Sequence, residues 1–403
     1  MAAFLTINDY NFENKTTIIR VDFNSPLDRS TKMITDDTRI RRHAATIKEL
    51  MTRNAKVIIL AHQGRKESPD FSSLKNHAQV LSEILGQKVA FINDIFHERA
   101  QNAIKQVKAG EALVLDNVRG FSAETAKLSA EEHAQSALVT NLAPLADVFV
   151  MDGFAVAHRS QASIVGFSKV LPCIAGRVME RELLALGKVR RAEDTPCVYV
   201  LGGAKADDAA AVCTYVLEQK TADYVLAGGV IGHLFLHAKG VDIGKPNVEY
   251  LENKKFMQYV PQITQLFDKY PEKIVTPIDF GIDENGKRRR ISLTDLPADY
   301  PIFDIDVETI EAYRPYLEQA RTVVISGPMG VYEREDFMVG TRGIFNVITD
   351  NDAFSVAGGG NTIEALERLG LSQKISYIST GGGALMEYLT GKLLPGVEIL
   401  TTK

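Results

Sequence analysis

The chain has 403 residues, 45% of them apolar and 24% charged, with a formal charge of −5; it is long enough for two domains with substantial cores and carries no signature of disorder. The negative balance argues against a general nucleic-acid or polyanion binder, so any basic site has to be local. Cys173, Cys197 and Cys213 are isolated and lack metal spacing, which points to reduced thiols in a cytoplasmic protein. Met1–Lys15 has no continuous apolar run of the signal-peptide kind, and no apolar segment is long enough to span a bilayer.

In chain order, Thr16–Asp22, Lys56–Ala61, Ala112–Asp116 and Ala146–Asp152 are short β-branched or Leu-rich runs, each followed by a polar or glycine-containing turn. Such runs are predicted to be buried parallel strands. Helical stretches lie between them at Arg42–Arg53, Ser73–Leu85 and Ala130–Asn141, and the alternation predicts a doubly wound α/β domain. From Ile174 to Arg190, Met179, Leu183 and Leu186 share one face at helical spacing, which predicts a connector helix between domains. A second series of strands follows at Cys197–Leu201, Asp223–Ala227, Lys273–Thr276, Thr322–Ser326, Ala353–Ala357 and Ile375–Ser379. The polar residues from Gly281 to Pro301 are expected to form a long loop or a small satellite element.

The chain is organised around Tyr199–Ala211, an apolar strand running through Gly202, Gly203 and Lys205 into a helix. Glycines allow a tight turn and close approach to a ligand, and a helix N-terminus favours an anion. Similar junctions recur at Gly228 and Gly229, Gly327 and Gly330, Gly358–Gly360 and Gly381–Gly383. In open α/β sheets the carboxyl ends of the strands hold the ligand. Sorting residues by strand end then gives two half-sites of opposite chemistry. The first is cationic, with Asp22, Asn24, Arg39, His62, Arg65, Arg119, His158 and Arg159, and suits a small polyanion. The second is glycine-rich and poor in base, which suits nucleotide phosphates held by backbone N–H groups. An anionic acceptor and a phosphoryl donor on separate domains imply closure about the linker, the logic of a kinase acting on a small acid.

The motifs Arg20-Val-Asp-Phe-Asn24, Asp37-Thr-Arg39-Ile40, His62-Gln-Gly-Arg65, Asn117-Val-Arg119, His158-Arg159, Gly202-Gly-Ala-Lys205, Gly327-Pro-Met-Gly-Val-Tyr-Glu333, Gly358-Gly-Gly and Ser379-Thr-Gly-Gly-Gly383 resemble those of the phosphoglycerate kinase family over nearly the whole chain. The resemblance implies two Rossmann-like, doubly wound parallel-sheet domains joined by a linker helix and hinge. The acceptor domain would span 1–173, the interdomain helix 174–191 and the nucleotide-binding domain 192–391, with the tail 392–403 packing back on the first domain. It implies reversible phosphoryl transfer between Mg-ATP and the carboxylate of 3-phosphoglycerate by a cytoplasmic, monomeric enzyme. It also implies that Asp22, Asn24, Arg39, His62, Arg65, Arg119 and Arg159 bind the acid. Gly202, Gly203, Lys205, Gly228, Glu333, Gly358, Gly359, Gly360, Asn361 and Thr362 would bind ATP or ADP, Glu333 at the ribose. Arg39, Lys205, Gly359 and Gly382 would form the catalytic set, and Asn361 would stand at the Mg2+.

Departures from the family pattern gather on the nucleotide side. Ala209 replaces a second lysine on the helix face of Lys205, and Asp207 adds an acid favoured at a helix start. Asn361 replaces a metal-holding aspartate, a weaker ligand for a hard cation, and is expected to cap its helix in a capping box with Glu364. Ser326 replaces an asparagine, and Asp304-Ile-Asp306-Val307 alters a loop. On the acceptor side Gly120 replaces a phenylalanine, Ala61, Lys66 and Gly153 depart from common family residues, and Gln161 stands where some members carry histidine. These changes leave open a related enzyme of specialised metabolism, phosphorylating another phosphorylated or phosphonylated acid, and a catalytically weak binding paralogue.

Overall fold

The structure, a computed structural model, describes residues 4–401. It divides into two compact units, with boundaries between Leu184 and Ala185, inside the helix Arg177–Arg190, and between Lys392 and Leu393.

The first unit is built on strands β1 (Thr16–Arg20), β2 (Lys56–Leu60), β3 (Ala90–Ile92), β4 (Ala112–Leu115), β5 (Val148–Met151) and β6 (Cys173–Ala175). They form one parallel sheet in the order β3-β4-β2-β1-β5-β6. The four inner strands are almost wholly buried, which is why they read as unbroken apolar runs. One core joins Ile19, Val57, Ile59, Val114 and Val150 of the sheet to Ile40, Ala44, Ile47 and Leu50 of the helix Thr38–Thr52. Those helix positions recur every three or four residues and so share a face.

Three sequence expectations need correction in this unit. Ile174 begins no helix: Cys173–Ala175 pairs with Phe149–Met151, and the connector starts at Arg177, after Gly176. The stretch Ala130–Asn141 is two helices, Ala130–Ala134 and Ala137–Leu142. Ser129 and Glu132 form a reciprocal capping box on the first, and extended backbone at Ser136 restarts the second. The three-residue β3, partly exposed at the sheet edge, was not anticipated.

The second unit contains β7 (Cys197–Leu201), β8 (Tyr224–Ala227), β9 (Ile274–Val275), β10 (Asp279–Glu284), β11 (Lys287–Ser292), β12 (Ile302–Ile305), β13 (Thr322–Ser326), β14 (Phe354–Gly358) and β15 (Tyr377–Ile378). Its main sheet is also parallel, ordered β15-β14-β13-β7-β8-β9. The 281–301 stretch is a satellite element rather than a loop, as β10 and β11 make a hairpin that pairs with β12 in a three-stranded antiparallel sheet. Its turn is Asn285-Gly286, with φ of 54° and 87°, the dipeptide that favours tight hairpin turns.

The strand order reverses between β1 and β5 in the first sheet and between β7 and β13 in the second. At such a point neighbouring crossovers diverge and open a crevice beyond the strand ends. Residues 20–24 and 151–159 flank the first crevice, and residues 201–205 and 326–330 flank the second.

Candidate active site

In the first unit, β1, β2, β4 and β5 end just before Asp22 and Asn24, His62 and Arg65, Arg119, and Arg159 respectively, while Arg39 stands at the start of the helix Thr38–Thr52. Arg39 pairs with the carboxylate of Asp22, whose side chain is buried while that of Arg39 is 44% exposed. Arg119 donates to the carbonyl of Gly64, and Asn24 Oδ1 accepts from the Gly64 amide at 2.8 Å. The sequence-predicted acceptor residues are therefore brought to one sheet edge.

The electrostatics of this edge follow from burying several cations together. Burial, followed by the charges of Arg20, Arg119, Arg159 and Arg39, holds the His62 imidazole well below its usual range. Burial, reinforced by Arg159 and Arg20, lowers the Arg119 guanidinium to about 10, and burial lowers that of Arg159. Among the described residues, Arg119 Nε and Arg159 Nη1 are buried without a hydrogen-bond partner. A buried guanidinium donor left unpaired is costly, and an anionic ligand is the group that would satisfy it.

Several residues that build this edge were not singled out as site residues from the sequence. Arg20 is fully buried; its Nε donates to Ser163 Oγ at 2.8 Å, and Ser163 Oγ donates to Glu124 Oε1 at 2.6 Å. Arg20 Nη2 lies 3.2 Å from His62 Nδ1. Because guanidinium is a donor only, His62 Nδ1 must accept, which places the proton of the neutral ring on Nε2. His43 Nε2 accepts from the Asp22 amide at 3.1 Å, leaving Nδ1 to donate to Asp152 Oδ2 at 2.6 Å. Asn117 Nδ2 donates to the carbonyls of Gln63 and Ser72 at 2.7 and 2.8 Å. Arg20, Asn117 and its partner Gln63 lay within recognised motifs, while Ser163, Glu124, His43, Asp152 and Ser72 gave no local signal.

In the second unit the turns after β7 and β13 cross in close contact. The Gly203 amide donates to Pro328 O at 2.7 Å, and a Cβ on Gly202 would lie 2.3 Å from that same oxygen. Gly327, at φ +91°, would carry a Cβ 2.3 Å from the Gly202 carbonyl carbon, so only glycine fits both positions. Thr362 Oγ1 ties the neighbouring turn in, accepting from the Gly327 amide at 2.8 Å and donating to Gly358 O at 2.8 Å. A cavity of about 130 Å³ is lined here by Lys205, Gly202, Gly359, Gly360 and Gly382, among others. A second cavity of about 240 Å³ shares Gly203, Ala204, Pro328 and Asn361 with it and extends past Gly229 to Glu333. Gly228 lies at the same edge, its amide bonded to Leu201 O at 2.9 Å. Lys205 is exposed at the N-cap of the helix Ala206–Glu218; its carbonyl accepts from the Ala209 amide at 3.1 Å, while its ammonium makes no hydrogen bond or ion pair with a described residue.

One expectation at this edge is corrected. Asn361 does not cap its helix: Gly359 is the N-cap of Gly360–Arg368, no side chain caps it, and Glu364 instead accepts from Tyr332 Oη at 2.9 Å. The Gly359 backbone, at φ +94°, begins the helix two residues before Asn361 and leaves that side chain exposed. Asp306 caps the helix Val307–Gln319 and lies 2.7 Å from Arg288, so the altered loop is held by an ion pair. Ser326 Oγ is 3.5 Å from Met386 Sδ. Gly120 is exposed, and a Cβ there would meet Ile95 at ordinary contact distance. Among the described residues no group of three or more His, Cys, Asp or Glu side chains could hold a metal, and no helix is long and apolar enough to cross a membrane.

Comparison with known proteins gives one answer. The sequence profile described as phosphoglycerate kinase matches residues 7–392. The chain is 42% identical to the phosphoglycerate kinase of Methanothermus fervidus, over 99% of this chain and 97% of that protein. It is 44% identical to that of Methanobacterium bryantii, with the same two coverages. The crystal structure of phosphoglycerate kinase from Pyrococcus horikoshii OT3 superposes with a TM-score of 0.90 at 42% identity, covering 98% of each chain. The corresponding structure from Coxiella burnetii gives 0.85 at 34% identity, covering 99% of each chain. A cationic strand edge in one parallel sheet, a glycine-lined edge in another and these likenesses lead to the same conclusion: the chain belongs to the phosphoglycerate kinase family.

Proposed function

We propose that the protein catalyses reversible phosphoryl transfer between ATP and the carboxylate of 3-phosphoglycerate, giving 1,3-bisphosphoglycerate and ADP. The observation that carries this reading is the pair of buried, unpartnered guanidinium donors on Arg119 and Arg159 beside neutral His62. Together with Arg65 and Arg39 they present the donor array that a small acid bearing a phosphate and a carboxylate requires. His62 offers Nε2–H to the bound acid, held in that tautomer by Arg20. Asn24 and Asp22 fix the floor through Gly64 and Arg39, and Asp22 offers an acceptor to substrate hydroxyls.

In the forward step a carboxylate oxygen of the acid attacks the γ-phosphorus, forming an O–P bond while the bond to the β–γ bridging oxygen breaks and ADP leaves. The attacking carboxylate is already ionised at neutral pH, so no general base is needed. Catalysis then consists of positioning and charge stabilisation. Arg39 and Lys205 supply cations to the transferring group, while the backbone around Gly202, Gly203 and Gly358–Gly360 and the helix starting at Gly382 present N–H groups to phosphate oxygens. Glu333 accepts from ribose hydroxyls. Mg2+ enters as part of Mg-ATP. Asn361, exposed and lining both cavities, would offer its Oδ1 to that ion.

The test is a coupled assay of purified protein with Mg-ATP and 3-phosphoglycerate, read through glyceraldehyde-3-phosphate dehydrogenase as NADH loss. Sustained turnover is expected. No turnover from protein that binds 3-phosphoglycerate in a calorimeter would overturn the reaction while keeping the pocket.

A further inference from the structure

We propose that His233 is a specificity-determining residue that hydrogen-bonds the purine base of the nucleotide, a role that rests on the nucleotide reading of this cavity. The larger of the two cavities at the glycine turns, about 240 Å³, has a lining of two chemical kinds. Gly203, Ala204, Pro328 and Asn361 are shared with the cavity that Lys205 lines. Val230, Tyr250, Phe303 and Val331 are apolar or aromatic, and His233 lines the cavity with them. His233 is 8% exposed, yet its imidazole makes no hydrogen bond with any described residue.

Position follows from the helix Gly229–Ala238, whose first residue lines the shared turn. Four residues on, His233 lies on the same helix face as Gly229 and about 6 Å further along the axis, at 1.5 Å per residue. The glycine turn is thus separated from the imidazole's helix position by about the length that a sugar occupies, and Glu333 lines the same cavity. A carboxylate there suits hydroxyls and repels phosphate. What remains for His233 is the flat heterocycle, for which apolar walls and one well-placed polar group are the usual arrangement.

Burial lowers the His233 imidazole to about 4, so the ring is neutral at pH 7, with one N–H donor and one acceptor nitrogen. A purine edge presents the same pair of functions in complementary order. An imidazole that lines the cavity without a protein partner keeps its donor and acceptor for a ligand, and the bound base pairs with them.

The experiment measures binding of ADP and of tripolyphosphate, which has no sugar or base, to wild type, His233→Leu and His233→Gln by calorimetry. Loss of one neutral hydrogen bond should weaken ADP about threefold to tenfold in His233→Leu and leave tripolyphosphate within about twofold. His233→Gln, which keeps a donor and an acceptor, should recover most of the ADP affinity. Unchanged ADP affinity in His233→Leu, or equal weakening of ADP and tripolyphosphate, would overturn the proposal, the latter by showing a disturbed turn rather than a lost base contact. Wild-type turnover combined with either result sinks this inference alone, whereas absent wild-type turnover sinks the transfer reaction.

Discussion

Ser163→Ala is the sharpest probe of the buried network beneath the cationic edge of the first unit. The hydroxyl accepts from Arg20 Nε at 2.8 Å and donates to Glu124 Oε1 at 2.6 Å, and all three residues are fully buried. Arg20 keeps its bond to the Val21 carbonyl and its contact with His62, and Glu124 Oε2 keeps the Ser163 amide at 2.9 Å. The variant therefore strips one hydrogen bond from each of two buried ionisable groups. Hydrogen bonds to charged groups contribute about 1.5–3 kcal/mol each, so the expected loss of stability is about 3–5 kcal/mol. Burial already raises the Glu124 carboxyl and lowers the Arg20 guanidinium, and losing the bridge pushes both further. Guanidinium unfolding measures the stability, and the KM for 3-phosphoglycerate measures whether Arg20 still fixes the His62 tautomer. A loss under about 1 kcal/mol with an unchanged KM would show that the hydroxyl does not hold the pair, and the account of the pocket floor would fall with it.

Arg39→Ala should leave the fold intact, because Arg39 is partly exposed, and lower turnover on the order of a hundredfold to a thousandfold; unchanged activity would remove Arg39 from the site. Asn361→Asp places a carboxylate at an exposed position and should reduce the Mg2+ concentration needed for half-maximal rate, whereas an identical Mg2+ titration would separate residue 361 from the metal. Ala209 is 4% exposed, so Ala209→Lys should destabilise the protein by about 1–3 kcal/mol through overpacking, and a melting temperature equal to wild type would contradict that burial. Stability against pH combines opposing groups. Burial lowers His77 and His233 to about 4, so below pH 6.5 the unfolded chain takes up protons that the fold refuses; this removes about 1 kcal/mol per histidine by pH 5.5. Asp304, raised by burial to about 8, is protonated in the fold and ionised when unfolded, and so contributes stability that is lost as pH rises toward 8. Asp304→Asn should therefore make the protein weaken on acidification from pH 7.5 to 5.5, and His77→Asn with His233→Leu should make it strengthen. Parallel pH curves for wild type and both variants would refute the assignments.

The central strands were legible because burial on both faces leaves an unbroken apolar run, and their ends were legible because glycines and cations cluster there. β3 and β6 were not, since three residues at a sheet edge carry too little pattern to separate from loop or helix. The 281–301 stretch was left between a loop and a satellite element because of its charges: Lys287-Arg288-Arg289-Arg290 does not read as a strand until Asp306, Glu284 and Asp279 are placed opposite. Within the site, the motif residues were legible and their supports were not. Arg20 and Ser163 are 143 positions apart and His43 and Asp152 are 109 apart, and no local spacing encodes such pairings. Asn361 misled because side-chain type suggested a cap where a glycine backbone begins the helix instead. His233, on a helix otherwise apolar except for His237, reads as a core residue until the cavity beside it is known.

Residues 393–401 rejoin the first unit after the whole second unit has intervened. The Gly396 amide bonds the Ala157 carbonyl at 2.7 Å, a Cβ at that glycine would sit 2.8 Å from the Ala157 Cα, and Thr401 bridges Phe4. Gly396 thus locks against the segment that leads directly into His158 and Arg159. On the ribosome, the second unit is made from one uninterrupted segment and can complete its contacts first, even though the chain enters the first unit earlier. The first unit therefore stays unfinished until residues 393–401 have been made, so a growing chain holds every residue of its second unit before it holds every residue of its first.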